Sequence, residues 1–319
     1  MRQGKRFIRV SHVLFIVFML IQLLPTASSK MRGKTDLPVA DAPVYAIVFI
    51  AIVETALIAV SLIIKRRNSE KNASLTLFSD IASFIYVLFI GWTLATVKLN
   101  ILREQLFPSL GIVIRQILQD AQPLLTHTGA SLLLIVKGYS LALVIAVPLG
   151  LALGSSARFG SAAALISKFI GSIPPVVYIP YGIALLPTFK TVSAMVIFLA
   201  SFWPILGGTM SGVMLIDRQV INAARSLCVR RFSMLFNIVI NAALPQILLG
   251  ASQALTVSFI LLTSAEMIAA KSGLGFYVKN YSDLGNYTRT IVGVIAIGTV
   301  ISLVYFAFNK LQRFLLRWK

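Results

Sequence analysis

The residues that carry most enzymatic chemistry are scarce in this chain. It holds two histidines, His12 and His127, and one cysteine, Cys228. That is too few ligands for a zinc site and too few thiols for an intrachain disulfide. No GxxxxGK[ST] phosphate loop occurs, which closes that route to ATP, and Gly273-Leu274-Gly275 lacks the third glycine and preceding strand of a dinucleotide fingerprint. Asn72-Ala73-Ser74 and Asn286-Tyr287-Thr288 match the N-glycosylation pattern only as short coincidences. No catalytic residue, metal site or cofactor is predicted.

What remains is polar and helix-breaking chemistry set in apolar sequence. Glu54 and Glu266 lie in apolar runs, where an acid is costly and often functional. Glu266, near the end of its run, is expected to gate, to hydrogen-bond across a dimer, or to reach interfacial water. Pro174, Pro175 and Pro180 interrupt another run, each removing a backbone donor. Irregular backbone at membrane depth is tolerated where it is buried in protein or lines a wet cavity. Tyr178 and Tyr181 therefore offer hydroxyls either to a pathway or to a packed kink, and Trp203-Pro204 is read as a similar interruption in the next run. The polar stretch 217–245 has helical periodicity in its first part. Arg218, Asn222 and Arg225 fall on one face and Val220, Ala224, Leu227 and Leu235 near another. Such a helix either docks in a partner's groove or merely connects two spans.

The elements that must position these residues follow from composition. The 319 residues are 58% hydrophobic and 12% charged, with a mean hydropathy of +0.89. Half the usual charge cannot cover a water-exposed surface, so the bilayer is the expected solvent. Eight apolar runs are long enough to cross it as helices: 8–27, 43–64, 78–97, 128–152, 163–187, 191–216, 246–268 and 290–309. With the N-terminus inside, 17 of the 29 Lys and Arg fall on the inner side, 10 on the outer side, and Lys137 and Lys168 within runs. The positive-inside bias thus places both termini and the 217–245 stretch in the cytoplasm. The first run, ending in Thr26-Ala27-Ser28-Ser29, fits an uncleaved helix and also a cleavable signal peptide. From Phe107-Pro108-Ser109 onward, Leu110, Val113, Ile114, Ile117 and Leu118 recur at helical spacing with Arg115, Gln116, Gln119 and Asp120 between them. This predicts an amphipathic helix at the interface. Gly150–Gly154 and Gly208–Gly212 fit GxxxG, which lets helices pack closely, here within one subunit.

Several of these segments together resemble one family. Ala223 and Ala224, with Ala242-Ala243-Leu244-Pro245 downstream, are similar to the coupling loop of type I ABC importer permeases. Ser172-Ile173-Pro174-Pro175 through Pro180 resembles a stretch of the nitrate, sulfonate and taurine branch. Leu106-Phe107-Pro108-Ser109, and Ala265-Glu266-Met267-Ile268 before Gly273-Leu274-Gly275, also resemble that branch, in the family's order across roughly 80–319. Two positions depart from the pattern, with Asn222 where the family has glutamate and Cys228 where it has glycine. The loss of the glutamate charge weakens any bond to basic residues of an ATPase.

The resemblance implies an all-α integral membrane protein of about eight transmembrane helices with a type I ABC importer permease core at 76–319. Residues 1–75 would add two helices outside that core. It implies a multi-pass subunit of the bacterial inner membrane without its own ATPase site. The pathway it forms would carry a sulfonate, nitrate, taurine or similar anion, or a small vitamin precursor. Its partners would be cytoplasmic ABC ATPase subunits, a second permease subunit, an extracytoplasmic solute-binding protein and the lipid bilayer, with no nucleic acid. ATPase coupling would fall to Arg218, Asn222, Ala223, Ala224, Arg225, Leu227 and Cys228 on a helix near 217–235, with Leu244 and Pro245. The pathway would use Pro174, Pro175, Tyr178, Pro180, Tyr181, Trp203 and Glu266. An ion-coupled transporter with Glu54 or Glu266 as proton relay, and a non-transporting scaffold for ATPases, are the competing readings.

Overall fold

The computed structural model describes residues 3–23, 42–67, 72–99, 101–102 and 105–317. The stretch Thr26-Ala27-Ser28-Ser29 and the basic residues Arg2, Lys30, Arg32, Lys34, Lys71, Arg103 and Lys319 lie outside them. Every described element is helical: α1 (Gln3–Leu23), α2 (Ala42–Arg67), α3 (Asn72–Thr93), α4 (Leu110–Gln119), α5 (Ala121–Gly154), α6 (Ala157–Gly171), α7 (Ile179–Leu185), α8 (Phe189–Met214), α9 (Arg218–Ser226), α10 (Arg231–Met234), α11 (Ile240–Ala269), α12 (Leu274–Asp283) and α13 (Tyr287–Leu315). Among the described residues, five helices are long and apolar enough to span a bilayer: Asp80–Lys98, Ala121–Gly154, Phe189–Met214, Phe232–Ile268 and Tyr287–Leu315. A sixth arises if the bent pair Arg158–Gly171 and Pro175–Leu185 is one span. The expected eight are therefore supported only as five or six. Runs 8–27 and 43–64 do form α1 and α2, but their described apolar stretches, Ser11–Gln22 and Val44–Ala56, are shorter than 18 residues.

The chain packs as two units, 1–122 with 281–292, and 123–280 with 293–319. In the first unit α1 packs on α3 and α2 on α4, around Phe18, Ile50, Ala82 and Tyr86. Glu54 is buried at 4% exposure. Its carboxylate pairs with His12 Nδ1 and accepts from the Tyr86 hydroxyl, so one polar cluster ties three helices together. The helix predicted after Pro108 is present as α4, and its entry is fixed by Trp92 Nε1–H donating to the Pro108 carbonyl at 3.0 Å. Its buried face differs from the predicted apolar stripe, since Gly111, Ile112, Val113 and Gln116 turn inward while Leu118 is 63% exposed. At its end Asp120 accepts from Arg289 Nε and Nη2 at 2.8 and 3.3 Å.

The second unit is built around α8, which packs along α11. Lipid tails are as apolar as leucine, so helices here associate by close packing and hydrogen bonds rather than by a hydrophobic drive. Both GxxxG motifs serve this packing inside the chain. A Cβ on Gly150 would lie 2.6 Å from Thr209 Cβ, and one on Gly208 would lie 2.9 Å from Gly250 Cα. Ser201 and Ser258 share a hydrogen bond at 2.7 Å, and the Tyr139 hydroxyl donates to the Ala251 carbonyl at 2.7 Å. The expected interruption at Trp203-Pro204 does not occur. The α8 helix runs unbroken through Pro204, because an intramembrane proline costs one backbone bond that close neighbours help to offset.

Candidate functional site

The polar stretch after α8 folds as α9, a nine-residue helix from Arg218 to Ser226. The Asp217 carboxylate caps its start by accepting from Gln219 N–H at 2.8 Å. Its end is a tight left-handed turn. Val229 N–H bonds the Ala224 carbonyl, Cys228 N–H bonds the Arg225 carbonyl, and Cys228 carries φ 54°. This pairing of amides with the last carbonyls is the Schellman arrangement, whose left-handed residue is usually glycine. The departure from the family pattern at Cys228 therefore falls at the one position of the turn that favours glycine. Only Ala224 of α9 is buried. Arg218, Asn222, Ala223 and Arg225 are exposed, as are Val220 at 46% and Leu227 at 78%.

The helix is shorter than predicted. Leu235 does not share its face, because the chain resumes a continuous helical path at Arg231, through a π-turn at Leu235–Val239, into α11. Leu244 and Pro245 accordingly sit inside α11 rather than in the loop. The polar side chains that follow are satisfied within this helical path. Asn237 Nδ2 donates to Ser233 Oγ at 3.0 Å and Asn241 Nδ2 to the Asn237 carbonyl at 2.9 Å.

The proline-rich segment breaks its span as its composition demands. Two successive prolines cannot donate, and each disfavours helical geometry at the residue before it. The helix α6 stops at Gly171, Pro175–Tyr178 forms a 3₁₀ turn, and the chain departs at 71°. Pro180 then opens α7 in the first-turn position where a missing donor costs nothing. Tyr181 is 67% exposed and Ile179 is buried. Trp203 lies against the end of α6, where a Cβ on Gly171 would be 3.2 Å from Trp203 Cβ.

Glu266 has a different setting. It is 1% exposed, so it is not an acid reaching interfacial water. Its Oε1 accepts from the Ser131 hydroxyl at 2.7 Å and its Oε2 from Gly275 N–H at 2.8 Å. Leu274 N–H donates in turn to Ser131 Oγ at 2.9 Å, and Gly273 N–H to His127 Nδ1 at 3.1 Å. The three amides of Gly273-Leu274-Gly275 are thereby fastened to α5 and α11. The glycines are needed here. Gly273 has φ 119°, and a Cβ there would overlap the Glu266 carboxylate, while one on Gly275 would lie 2.5 Å from the Thr263 carbonyl.

A cleft of about 320 Å³ opens between α6, α8 and α11. Ser167 and Lys168 reach it from α6, Ser211 from α8, and Gln246 and Gln253 from α11. None of the pathway residues proposed from sequence lines it. Lys168 was passed over as one charge within an apolar run, yet the rule that singled out Glu54 and Glu266 applies equally to an intramembrane cation.

A helical protein with several apolar spans, a capped polar helix between two of them and a proline-broken span is a multi-pass membrane component of the transport class. The sequence profile of the binding-protein-dependent transport system inner membrane component matches residues 146–319, and the chain belongs to that family. It is similar to the taurine transport system permease protein TauC of Escherichia coli, 29% identical over 246 residues, 75% of this chain and 89% of the relative. It is also similar to the nitrate import permease protein NrtB of Leptolyngbya laminosa, 28% over 179 residues, 56% of this chain and 64% of the relative. A third relative is the bicarbonate transport system permease protein CmpB of Synechococcus elongatus, 29% over 192 residues, 60% and 69%. The chain is an inner-membrane permease component of an ABC importer.

Proposed function

We propose that this subunit forms half of a translocation pathway for a small solute and is driven through α9 by a separate ATPase. The observation that carries the coupling assignment is α9 itself. It is capped at both ends, joined to two spans, and exposes Arg218, Arg225, Val220 and Leu227 together. A helix that only connected spans would have no reason to present leucine and valine to solvent beside arginines; a groove with an acidic rim would bury the first pair and bond the second. Asn222, Ala223 and Cys228 belong to the same surface, and Leu244 and Pro245 support it from α11. The partners are cytoplasmic ATPase subunits, a second permease subunit and an outer solute-binding protein, as the resemblance implies. The chain supplies no ATPase site of its own.

In this reading α1 and α2 both cross the bilayer, bringing the spans to eight. Residues 1–75 are an addition to a six-helix core at 76–319. The break at Pro174, Pro175 and Pro180 faces Tyr178 and Tyr181 to the pathway, with Trp203 behind it and Glu266 holding its outer loop. The solute is a sulfonate, nitrate, bicarbonate or similar small anion, the zwitterion taurine, or a small vitamin precursor. Co-purification tests the reading. The tagged chain, extracted in mild detergent, is expected to retain an ATP-binding subunit that is lost on Arg225→Glu with Leu227→Asp. A partner-free chain that moves solute into liposomes without ATP would overturn it.

A further inference from the structure

We infer that the cleft between α6, α8 and α11 is a binding site for a compact monoanion, with Lys168 as its fixed counter-charge. The inference deepens the importer reading and depends on it for the site's part in transport. Lys168 lies ten residues after Arg158, about 15 Å along the helix, near the middle of a hydrocarbon core about 30 Å thick. Its ammonium has no ion-pair partner among the described residues, nor do the side chains of Ser167, Ser211, Gln246 and Gln253 have hydrogen-bond partners there. The other hydroxyls of α8 and α11 behave differently. Ser201, Thr209 and Ser258 each donate to the carbonyl four residues back. Ser167 is 7% exposed, and among the described residues Thr93 Oγ1, not Ser167 Oγ, is the buried side-chain polar atom without a partner, so the Ser167 hydroxyl opens to the cleft. Lys168, Ser211 and Gln253 are exposed and Gln246 is half-buried, so the cleft presents a cation and neutral polar groups open to a solute, and an intramembrane cation characteristically faces a cavity or a partner.

The chemistry of the lining selects what that is. The cleft holds one cation and no carboxylate or aromatic ring. It can neutralise one negative charge and offer serine and glutamine donors to its oxygens, as in a planar or tetrahedral oxyanion. It has nothing to receive an ammonium group, so a zwitterion gains less than a monoanion of the same size. The volume corresponds to about ten waters, room for an anion of a few heavy atoms with residual water. Gly207 on the wall has nothing within 4 Å of where its Cβ would stand. A large side chain there would fill the cleft without touching its charge.

The test uses the purified full chain in nanodiscs, titrated with sodium nitrate, sodium bicarbonate and sodium methanesulfonate, and with taurine, at constant ionic strength. Thermal unfolding is the readout. At least one monoanion is expected to protect the wild type saturably, and taurine to protect it less. Lys168→Gln and Gly207→Leu should each weaken apparent affinity about tenfold or more, while Lys168→Arg retains it. No protection of the wild type by any of the three salts, as for a cleft that holds only water, overturns the proposal. So does equal protection of the wild type and Lys168→Gln. Lys168→Gln should still retain the ATPase subunit on co-purification. Loss of that subunit from the wild type would overturn the importer reading while leaving the anion result to stand or fall by itself.

Discussion

At its C-terminal end α11 carries Glu266, 1% exposed, with both carboxylate oxygens bonded inside the chain. Before its N-terminal end lies α9, where Leu227 is 78% exposed and the arginines meet only solvent. Both set polar residues against apolar sequence. The structure separates a polar group that holds the fold from polar groups held out by it. A satisfied buried acid is destabilising to remove and indifferent to partners. An exposed helix capped at both ends is the reverse. The energetic consequences of mutation should divide the same way.

The largest expected effect is on the held end. Glu266→Leu leaves the Gly275 amide and the Ser131 O–H buried without an acceptor, while Ser131 Oγ still accepts from Leu274 N–H, at a cost of about 1–3 kcal/mol for the orphaned amide. The thermal midpoint in detergent should fall accordingly, and an unchanged midpoint would show that the carboxylate does not fasten the loop. Gly275→Val attacks the same loop from the other side. Its Cβ would meet the Thr263 carbonyl at 2.5 Å and Glu266 Cβ at 2.8 Å, and such overpacking costs about 1–3 kcal/mol. Valine at 275 with wild-type stability would mean that the loop can move off α11.

On the presented end the prediction inverts. Arg225→Glu with Leu227→Asp removes nothing that the chain itself bonds, so the thermal midpoint should stay within about 0.5 kcal/mol of wild type. Recovery of the ATPase subunit should nonetheless fall about tenfold or more, as for an anchor residue worth at least 1–2 kcal/mol at an interface. A variant that loses stability along with its partner would erase the distinction between the two ends.

Much of this was legible in the sequence, and the misses have physical causes. The α9 helix showed itself because Asp217, Arg218, Asn222 and Arg225 stand out against apolar neighbours. The Pro174-Pro175 break did so because two prolines leave the backbone little choice. The polar helix was drawn too long, to 235, since Leu235 falls near the apolar face of an uninterrupted helix while the chain turns at Cys228 and resumes at Arg231. Pro204 suggested a break that close packing on α11 makes unnecessary. The side-chain partners of Glu54, His12 and Tyr86, lie 42 and 32 residues away, and Ser131 lies 135 from Glu266, distances over which no local pattern speaks. Lys168 was visible all along, but a single cation in an apolar run acquires meaning only when three helices place Gln246, Gln253 and two serines around the same cleft.

The smallest effect concerns the hinge between the two behaviours. Cys228 closes α9 with φ 54°, and its amide and that of Val229 tie off the last carbonyls of the helix. A side chain in the left-handed region costs about 1–2 kcal/mol relative to a residue without Cβ. Against this, glycine gives the unfolded chain more freedom to lose, about 0.4–1 kcal/mol. Cys228→Gly should therefore raise stability by about 0–1.6 kcal/mol, read as a small upward shift of the thermal midpoint. Since Cys228 is exposed, no packing is lost to offset the gain. The backbone course of α9 should not change, so retention of the ATPase subunit should be unaffected. A fall in stability would mean that the thiol makes a contact the turn depends on, and that the cysteine is not merely tolerated at a glycine position.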